Sequence, residues 1–204
     1  MQIDRFTSLD PDYSSMEIRW FFPENIPELK HFVQRKFNVK PEPEIRTDTY
    51  YPIFNREDLG LKLREGNREI KKRQKPGIPF YFEVQQAGYL EYWDKWILDS
   101  PLPDLHGTDP FPIRKKRWVL KFNSQSKKDY TAFPYEEKLE QGIQVEYAEL
   151  KAERGTSYTF CLEVFGDTDP SHLEKITAIL PAVAYLHLDN SFAYPAWIVR
   201  QFRI

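Results

Sequence analysis

The sequence predicts an α+β fold dominated by an antiparallel sheet that is strongly curved or closed into a barrel. Two observations point there: at least eight segments read as strands against two or three that read as helices, and period-two alternation sets Lys and Arg along one face of several strands. The apolar content of 41% in 204 residues is enough to bury one substantial core, and a single domain over residues 1–204 is expected.

Met16 to Phe22 is β-prone and aromatic and stops at Pro23, which reads as a strand. Leu29, Phe32, Val33, Lys36 and Phe37 fall at helical spacing, so residues 24–37 read as an amphipathic helix with Pro27 in its first turn. Glu44 to Phe54 returns to strand character. Leu59 to Arg73 reads as a β-hairpin. In it Leu61 and Leu63 alternate with Lys62 and Arg64, Gly66-Asn67 supplies the turn, and the returning strand resumes at Glu69. That register sets Lys71 and Arg73 across from Lys62 and Arg64.

Further strands are expected at Phe80 to Gln86, Gly88 to Ile97, Ile113 to Phe122, Ile143 to Lys151 and Ser157 to Phe165, the last two joined by a turn at Arg154-Gly155-Thr156. Asp169-Pro170 has the form of an N-cap followed by a first-turn proline, and Leu173, Ile176, Ile179 and Leu180 supply an apolar stripe for a helix over 170–180. The apolar and aromatic tail from Ala182 to Ile204 is compatible with helix or strand.

No apolar run approaches the roughly 18 residues that span a bilayer, and the N-terminus lacks a secretory pattern, so a soluble, cytoplasmic chain without a membrane partner is expected. Cys161, the one cysteine, excludes an internal disulfide framework and a Cys-based zinc cluster. The net charge of −2 argues against a generally basic nucleic-acid binder, yet the cations are segregated. They crowd into Lys62 to Lys75 and Arg114 to Lys121. On an open sheet such a face is simply solvated. In a closed barrel it concentrates positive potential between low-dielectric walls, and entering phosphates offset the repulsion. Arg supplies bidentate contacts to phosphate and Lys a compact charge, so their mixture suits a chain of phosphoryl groups.

Other constellations carry less. His31, His106, His172 and His187 lack metal-ligand spacing, and Cys161 sits in an apolar strand with no basic neighbour, which suits packing. Tyr89, Tyr92, Trp93 and Trp96 fit core positions or a stacking surface for an organic group.

At the basic strands the chain resembles the CYTH, or triphosphate tunnel, superfamily, which includes one class of adenylyl cyclases, thiamine triphosphatases and inorganic triphosphatases. The resemblance lies in the order of its pieces over residues 16–165: Glu17-Ile18-Arg19, a helix, Asp48-Thr49-Tyr50-Tyr51, Leu61-Lys62-Leu63-Arg64, the hairpin to Lys71 and Arg73, Lys115-Lys116-Arg117, and Leu162-Glu163-Val164-Phe165. It implies an eight-stranded closed barrel whose tunnel binds triphosphate or another anionic small molecule through Arg19, Lys62, Arg64, Lys71, Arg73, Lys115 and Arg117. It further implies Mg²⁺ or Mn²⁺ held by Glu17 and Glu163, and metal-dependent hydrolysis of the bound phosphates. The chain departs from the pattern at the opening Glu-x-Glu-x-Lys motif, where Arg19 replaces the second carboxylate and Phe21 the lysine. Phe165 replaces a late glutamate; Glu146 and Glu149 are candidate substitutes, though by alternation they lie on opposite faces. A catalytically impaired binding protein and a protein or nucleic-acid interaction module are the alternatives.

Overall fold

A computed structural model of the chain describes residues 7–83, 85–98, 109–123, 131–166 and 169–202. The ladder of hydrogen-bonded strands is what defines the architecture. The strands are β1 (Tyr13–Phe22), β2 (Glu44–Tyr51), β3 (Leu59–Arg64), β4 (Asn67–Arg73), β5 (Ile78–Glu83), β6 (Gln86–Leu98), β7 (Phe111–Phe122), β8 (Ala132–Pro134), β9 (Gly142–Ala152) and β10 (Gly155–Phe165). Neighbours run β1-β10-β9-β7-β2-β3-β4-β6, and β6 pairs back onto β1, so eight strands close into an antiparallel barrel. Strand β5 extends β6 and β8 extends β7 outside that ring. The helices are α1 (Pro27–Arg35), α2 (Ser171–Thr177) and α3 (Tyr194–Phe202), with a short 3-10 turn at Leu188–Asn190.

Alternation sorts the side chains of this barrel in an unusual way, because the larger apolar core lies on the outer face of the sheet. From β1, Met16, Ile18, Trp20 and Phe22 point outward into a cluster with Leu29, Phe32 and Val33 of α1 and Leu173 and Ile176 of α2. The hydroxyl of Tyr147 ties α1 to the wall by accepting the Ile26 N–H at 3.1 Å and donating to Asn25 Oδ1 at 2.7 Å. On another side, Leu59, Leu61, Ile70, Trp96 and Leu98 form a second outward cluster. The opposite parity of β1, which carries Glu17, Arg19 and Phe21, faces the barrel interior together with its equivalents from the other seven strands.

Helix α3 resolves the ambiguous tail and closes one end of the interior. Its Trp197 and Ile198 pack with Phe21, Tyr50, Phe111, Ile113 and Leu150, the inward residues nearest that end. Phe21 stacks between Phe192 and Trp197 with centroids 5.2 Å from each, a geometry that adds to the apolar burial of three rings.

Several boundaries differ from expectation. Helix α1 is shorter than 24–37 because Pro23 and the extended Ile26 keep the chain non-helical up to Pro27. The second helix ends at Thr177, whose hydroxyl bonds back to the Leu173 carbonyl at 2.9 Å, and Pro170, not Asp169, takes the N-cap position. Asp169 Oδ1 still accepts the Ser171 N–H at 2.9 Å. The hairpin turns at Glu65-Gly66, with φ of 50° and 84°, so Arg64 faces Asn67 and Lys62 faces Glu69. That two-residue turn suits the strand twist and shifts the predicted register. His106 and most of the connection from Pro101 to Pro112 lie outside the described residues.

Candidate functional site

The inward parity of the barrel builds a cavity of about 670 Å³ lined, among the described residues, by nine Lys and Arg side chains and six carboxylates. Asp48 and Glu44 stand behind that lining and pair with the same cations, so nine cations meet eight carboxylates. Nine of the chain's 29 Lys and Arg gathered around one cavity, where the net charge is −2, is a strong segregation of charge. Six of the seven predicted ligand-binding cations line it: Arg19, Lys62, Arg64, Lys71, Lys115 and Arg117, as do Glu17 and Glu163. Arg73 also points inward but is turned onto Glu91 and the face of Trp93, away from the cavity wall. Lys116 takes the outer face, over the ring of Trp118 at 5.2 Å.

The cations fall into two sets. Deep in the barrel, Arg19 reaches Glu146 at 2.8 Å, Arg117 reaches Glu146 at 2.5 Å and Glu44 at 2.6 Å, and Lys115 reaches Asp48 at 2.8 Å. Their side chains are only 7%, 6% and 3% exposed, so their charges stay inside because carboxylates accompany them. Nearer the cavity surface, Lys62, Arg64 and Lys71 are 19%, 23% and 28% exposed. Lys62 pairs with Glu69 at 3.0 Å, Arg64 pairs with the same carboxylate, and Lys71 pairs with Glu17 at 2.9 Å. These three are more exposed than the deeper set, and Lys95 and Lys121 also line the cavity partly exposed.

Burial and charge then tune the groups. Burial would raise Asp48, but Lys115, Lys62 and Arg46 outweigh it and hold its carboxyl well below the usual range. Glu146 behaves likewise, burial being outweighed by Arg117 and Arg19. Burial, reinforced by Arg64, pushes Lys62 down to about 8, against the pull of Glu69 and Asp48. Glu91 is raised, chiefly by burial, even with Arg73 beside it.

Sequence reasoning overlooked the internal carboxylates Glu69 and Glu44, the cation Arg46, and Tyr194, and it assigned no site role to Glu91, Lys95 or Lys121. Glu69 carried a usable signal, since it shares the parity of Lys71 two residues away. Tyr194 carried none. It comes from α3, lies 3.8 Å from Lys115 Nζ and 4.7 Å from the Arg19 guanidinium through its ring, and stacks on Tyr50. Cys161 faces inward beside this network, buried, with its thiol pushed up by that burial. Trp93 and Trp96 are core residues, the first under Lys71 and Arg73. His31 is exposed and His172 and His187 lie partly exposed away from the cavity.

The divalent ion implied by the family resemblance meets a donor set that does not suit it. Glu17 and Glu163 face each other across β1 and β10, but Glu17 already carries Lys71 and, at 3.8 Å, Arg19. Among the described residues no group of three His, Cys, Asp or Glu is arranged to hold a metal ion.

Fold and site together define a closed antiparallel barrel with an ionic, cation-rich interior sealed at one end by a helix. No protein-family model matches the chain, and comparison with curated proteins gives no match. Solved structures of similar shape include a candidate adenylyl cyclase from Hippeastrum described as having a dominant triphosphatase activity, with TM-score 0.42 and 11% identity over 94% of this chain and 97% of that one. A conserved hypothetical protein from Pyrococcus furiosus matches with TM-score 0.39 and 15% identity, over 88% of this chain and 98% of that one. A protein from Pyrococcus horikoshii matches with TM-score 0.38 and 16% identity, over 79% and 85%. Likenesses this distant carry no argument about function. No helix among the described residues is long and apolar enough to cross a membrane.

Proposed function

We propose that the barrel cavity binds a small polyanion of the triphosphate class, with Lys62, Arg64 and Lys71 contacting the phosphates and the deeper Arg19, Lys115 and Arg117 supplying the field. The observation that supports this most is the gathering of nine Lys and Arg side chains around one cavity in a net-acidic chain. A barrel interior that served stability alone would be filled with apolar side chains, since buried ion pairs give little net stabilisation. The order of segments shared with the triphosphate tunnel superfamily points the same way. The interaction-module alternative needs these cations on a flat outer face, and the closed sheet turns them inward.

Thermal denaturation with tripolyphosphate tests the proposal directly. At 100 times its dissociation constant, a ligand that binds only the folded chain adds about 2.7 kcal/mol of stability, or roughly 5 to 10 °C for this length. Lys62→Ala and Arg64→Ala should each shrink that shift; no shift in the wild-type chain sinks the proposal. Hydrolysis is a second reading. It is supported by Glu163, a cavity carboxylate whose one hydrogen bond among the described residues comes from Gln144 at 3.4 Å. Phosphate release from tripolyphosphate with Mg²⁺ or Mn²⁺ is its assay, and an absence of release leaves binding alone.

A further inference from the structure

Three glutamates form a strip across the barrel wall. Glu163 on β10 is the cross-strand partner of Glu17 on β1, and Glu17 is the partner of Glu91 on β6. Like charges directly opposite one another destabilise a sheet unless something sits between them. A divalent cation is one solution, and this chain has another.

Lys71 Nζ lies 2.9 Å from Glu17 Oε2, Arg19 Nη2 lies 3.8 Å from the same oxygen, and Arg73 holds Glu91. Glu17 and Glu91, two of the three carboxylates, are thus each answered by a cation at ion-pair distance without a foreign ion, while Arg19 is shared with Glu146 at 2.8 Å and Glu163 interacts with Lys71 at longer range. One step deeper on β1 and β10, where a second pair of carboxylates would extend a hard-cation site, the cross-strand partners are Arg19 and Cys161. Neither is an oxygen ligand, and Mg²⁺ and Mn²⁺ are held by oxygen. Placing a divalent ion on Glu17 would set it against Lys71 and Arg19 at ion-pair distance, in a site where charge is poorly screened.

We propose that Lys71 and Arg19 are built-in counter-ions standing where a divalent cation would otherwise sit, so that the cavity takes the free polyanion and not its metal complex. The proposal deepens the polyanion reading and rests on it for the identity of the ligand. Its first half, that Glu17 is closed to divalent ions, stands separately. Magnesium would then compete with the protein for the phosphates instead of assisting their capture.

The experiment has two arms. In the first, the ligand-free chain is titrated with Mn²⁺ and free Mn²⁺ is followed by electron paramagnetic resonance. Wild type should leave the free signal intact, whereas Lys71→Met, which strips Glu17 of its nearest cation, should capture Mn²⁺. Capture by wild type that Glu17→Gln abolishes overturns the proposal. In the second arm, tripolyphosphate is titrated calorimetrically in EDTA and in excess Mg²⁺. Wild type should bind in EDTA, and excess Mg²⁺ should weaken that binding by sequestering the free polyanion; binding of equal strength in Mg²⁺ overturns the proposal. Lys71→Met should bind about ten- to a hundred-fold more weakly in EDTA, the loss of one charged contact, and regain affinity with Mg²⁺. Binding by wild type that requires Mg²⁺ overturns the proposal. An absence of tripolyphosphate binding under both conditions sinks the polyanion reading, and the first arm still decides whether Glu17 is closed to metal. Should Lys71→Met fail to fold, as circular dichroism would show, the wild-type measurements in both arms remain decisive.

Discussion

Replacing Asp48 by Asn gives two effects of opposite sign, which makes it the most informative single change. Asp48 is fully buried and its carboxylate lies 2.8 Å from Lys115, 3.1 Å from Arg46 and 3.9 Å from Lys62. The amide keeps the shape and removes the charge, leaving Lys115 with only 3% of its side chain exposed and, among the described residues, no carboxylate at ion-pair distance. Removing one member of a buried pair costs about 3 to 5 kcal/mol. Lys115 limits the loss by giving up its proton, because burial and Lys62 already push it well below the usual lysine range against the pull of Asp48. A cost near the lower end, about 3 kcal/mol, corresponds to a fall in Tm of roughly 6 to 12 °C for a chain of this length. A polyanion in the cavity supplies part of the missing negative charge, so tripolyphosphate should raise the Tm of the variant by more than it raises that of wild type. Differential scanning calorimetry with and without tripolyphosphate measures both effects. A variant within about 2 °C of wild type refutes the pairing described for Asp48, and a smaller ligand-induced gain refutes the placement of the ligand near these cations.

Other outcomes are expected from the same network. Lys62, held near 8 by burial, should regain a proton when a polyanion binds. Calorimetric titration at pH 8 to 9 in buffers of different ionisation enthalpy should therefore show proton uptake, and Lys62→Ala should reduce it, the remainder coming from Lys115 and Lys95, which burial also lowers. The same depressed pKa means that the unfolded chain binds more protons between about pH 8 and 10.5, so Lys62 by itself adds stability as pH rises through that window. Asp48 and Glu146 titrate lower in the folded chain than in the unfolded one, so their contribution is complete above about pH 5 and is lost as pH falls below about 4. Glu91, raised by burial, opposes that trend. Tm should fall below pH 4, and Asp48→Asn should flatten the fall. The buried Tyr194 hydroxyl has no hydrogen-bond partner among the described residues. Tyr194→Phe should accordingly raise the Tm of the ligand-free chain by about 2 to 4 °C, on the scale of 1 kcal/mol for an unsatisfied buried group, and an unchanged or lower Tm argues against an unsatisfied hydroxyl.

The strands and the inward set of cations were legible because period-two alternation is a local property: once Lys62 faces inward, Arg64 must do the same. The hairpin register was not, since it turns on Glu65 adopting φ of 50°, a conformation for which the neighbouring Asn67 has the better propensity. Two-residue closure matches the twist of the flanking strands, and that long-range requirement outweighs the preference of one residue. The carboxylates were missed for a different reason. A search for phosphate-binding cations passes over Glu69 and Glu44, although Glu69 shares the parity of Lys71 on its own strand and Glu44 is the cross-strand partner of Arg117. Helix α3 left no usable pattern, because its apolar residues meet the curved end of a barrel and are buried nearly all round, from Pro195 to Val199.

Those carboxylates change what the cations mean. A row of Lys and Arg without partners would lose protons or stay out of the interior, since the cost of burying an isolated charge exceeds what packing returns. Asp48, Glu69 and Glu146 allow Lys62, Arg64, Arg19, Lys115 and Arg117 to remain inside and hold them in fixed orientations. Each pair is close to neutral in energy, so the network adds little to stability. What it does provide is preorganisation: donors already desolvated and aimed, around a cavity lined by nine Lys and Arg side chains. A polyanion entering that cavity therefore meets a field already assembled, and the smaller the rearrangement needed, the more of the electrostatic gain appears as affinity.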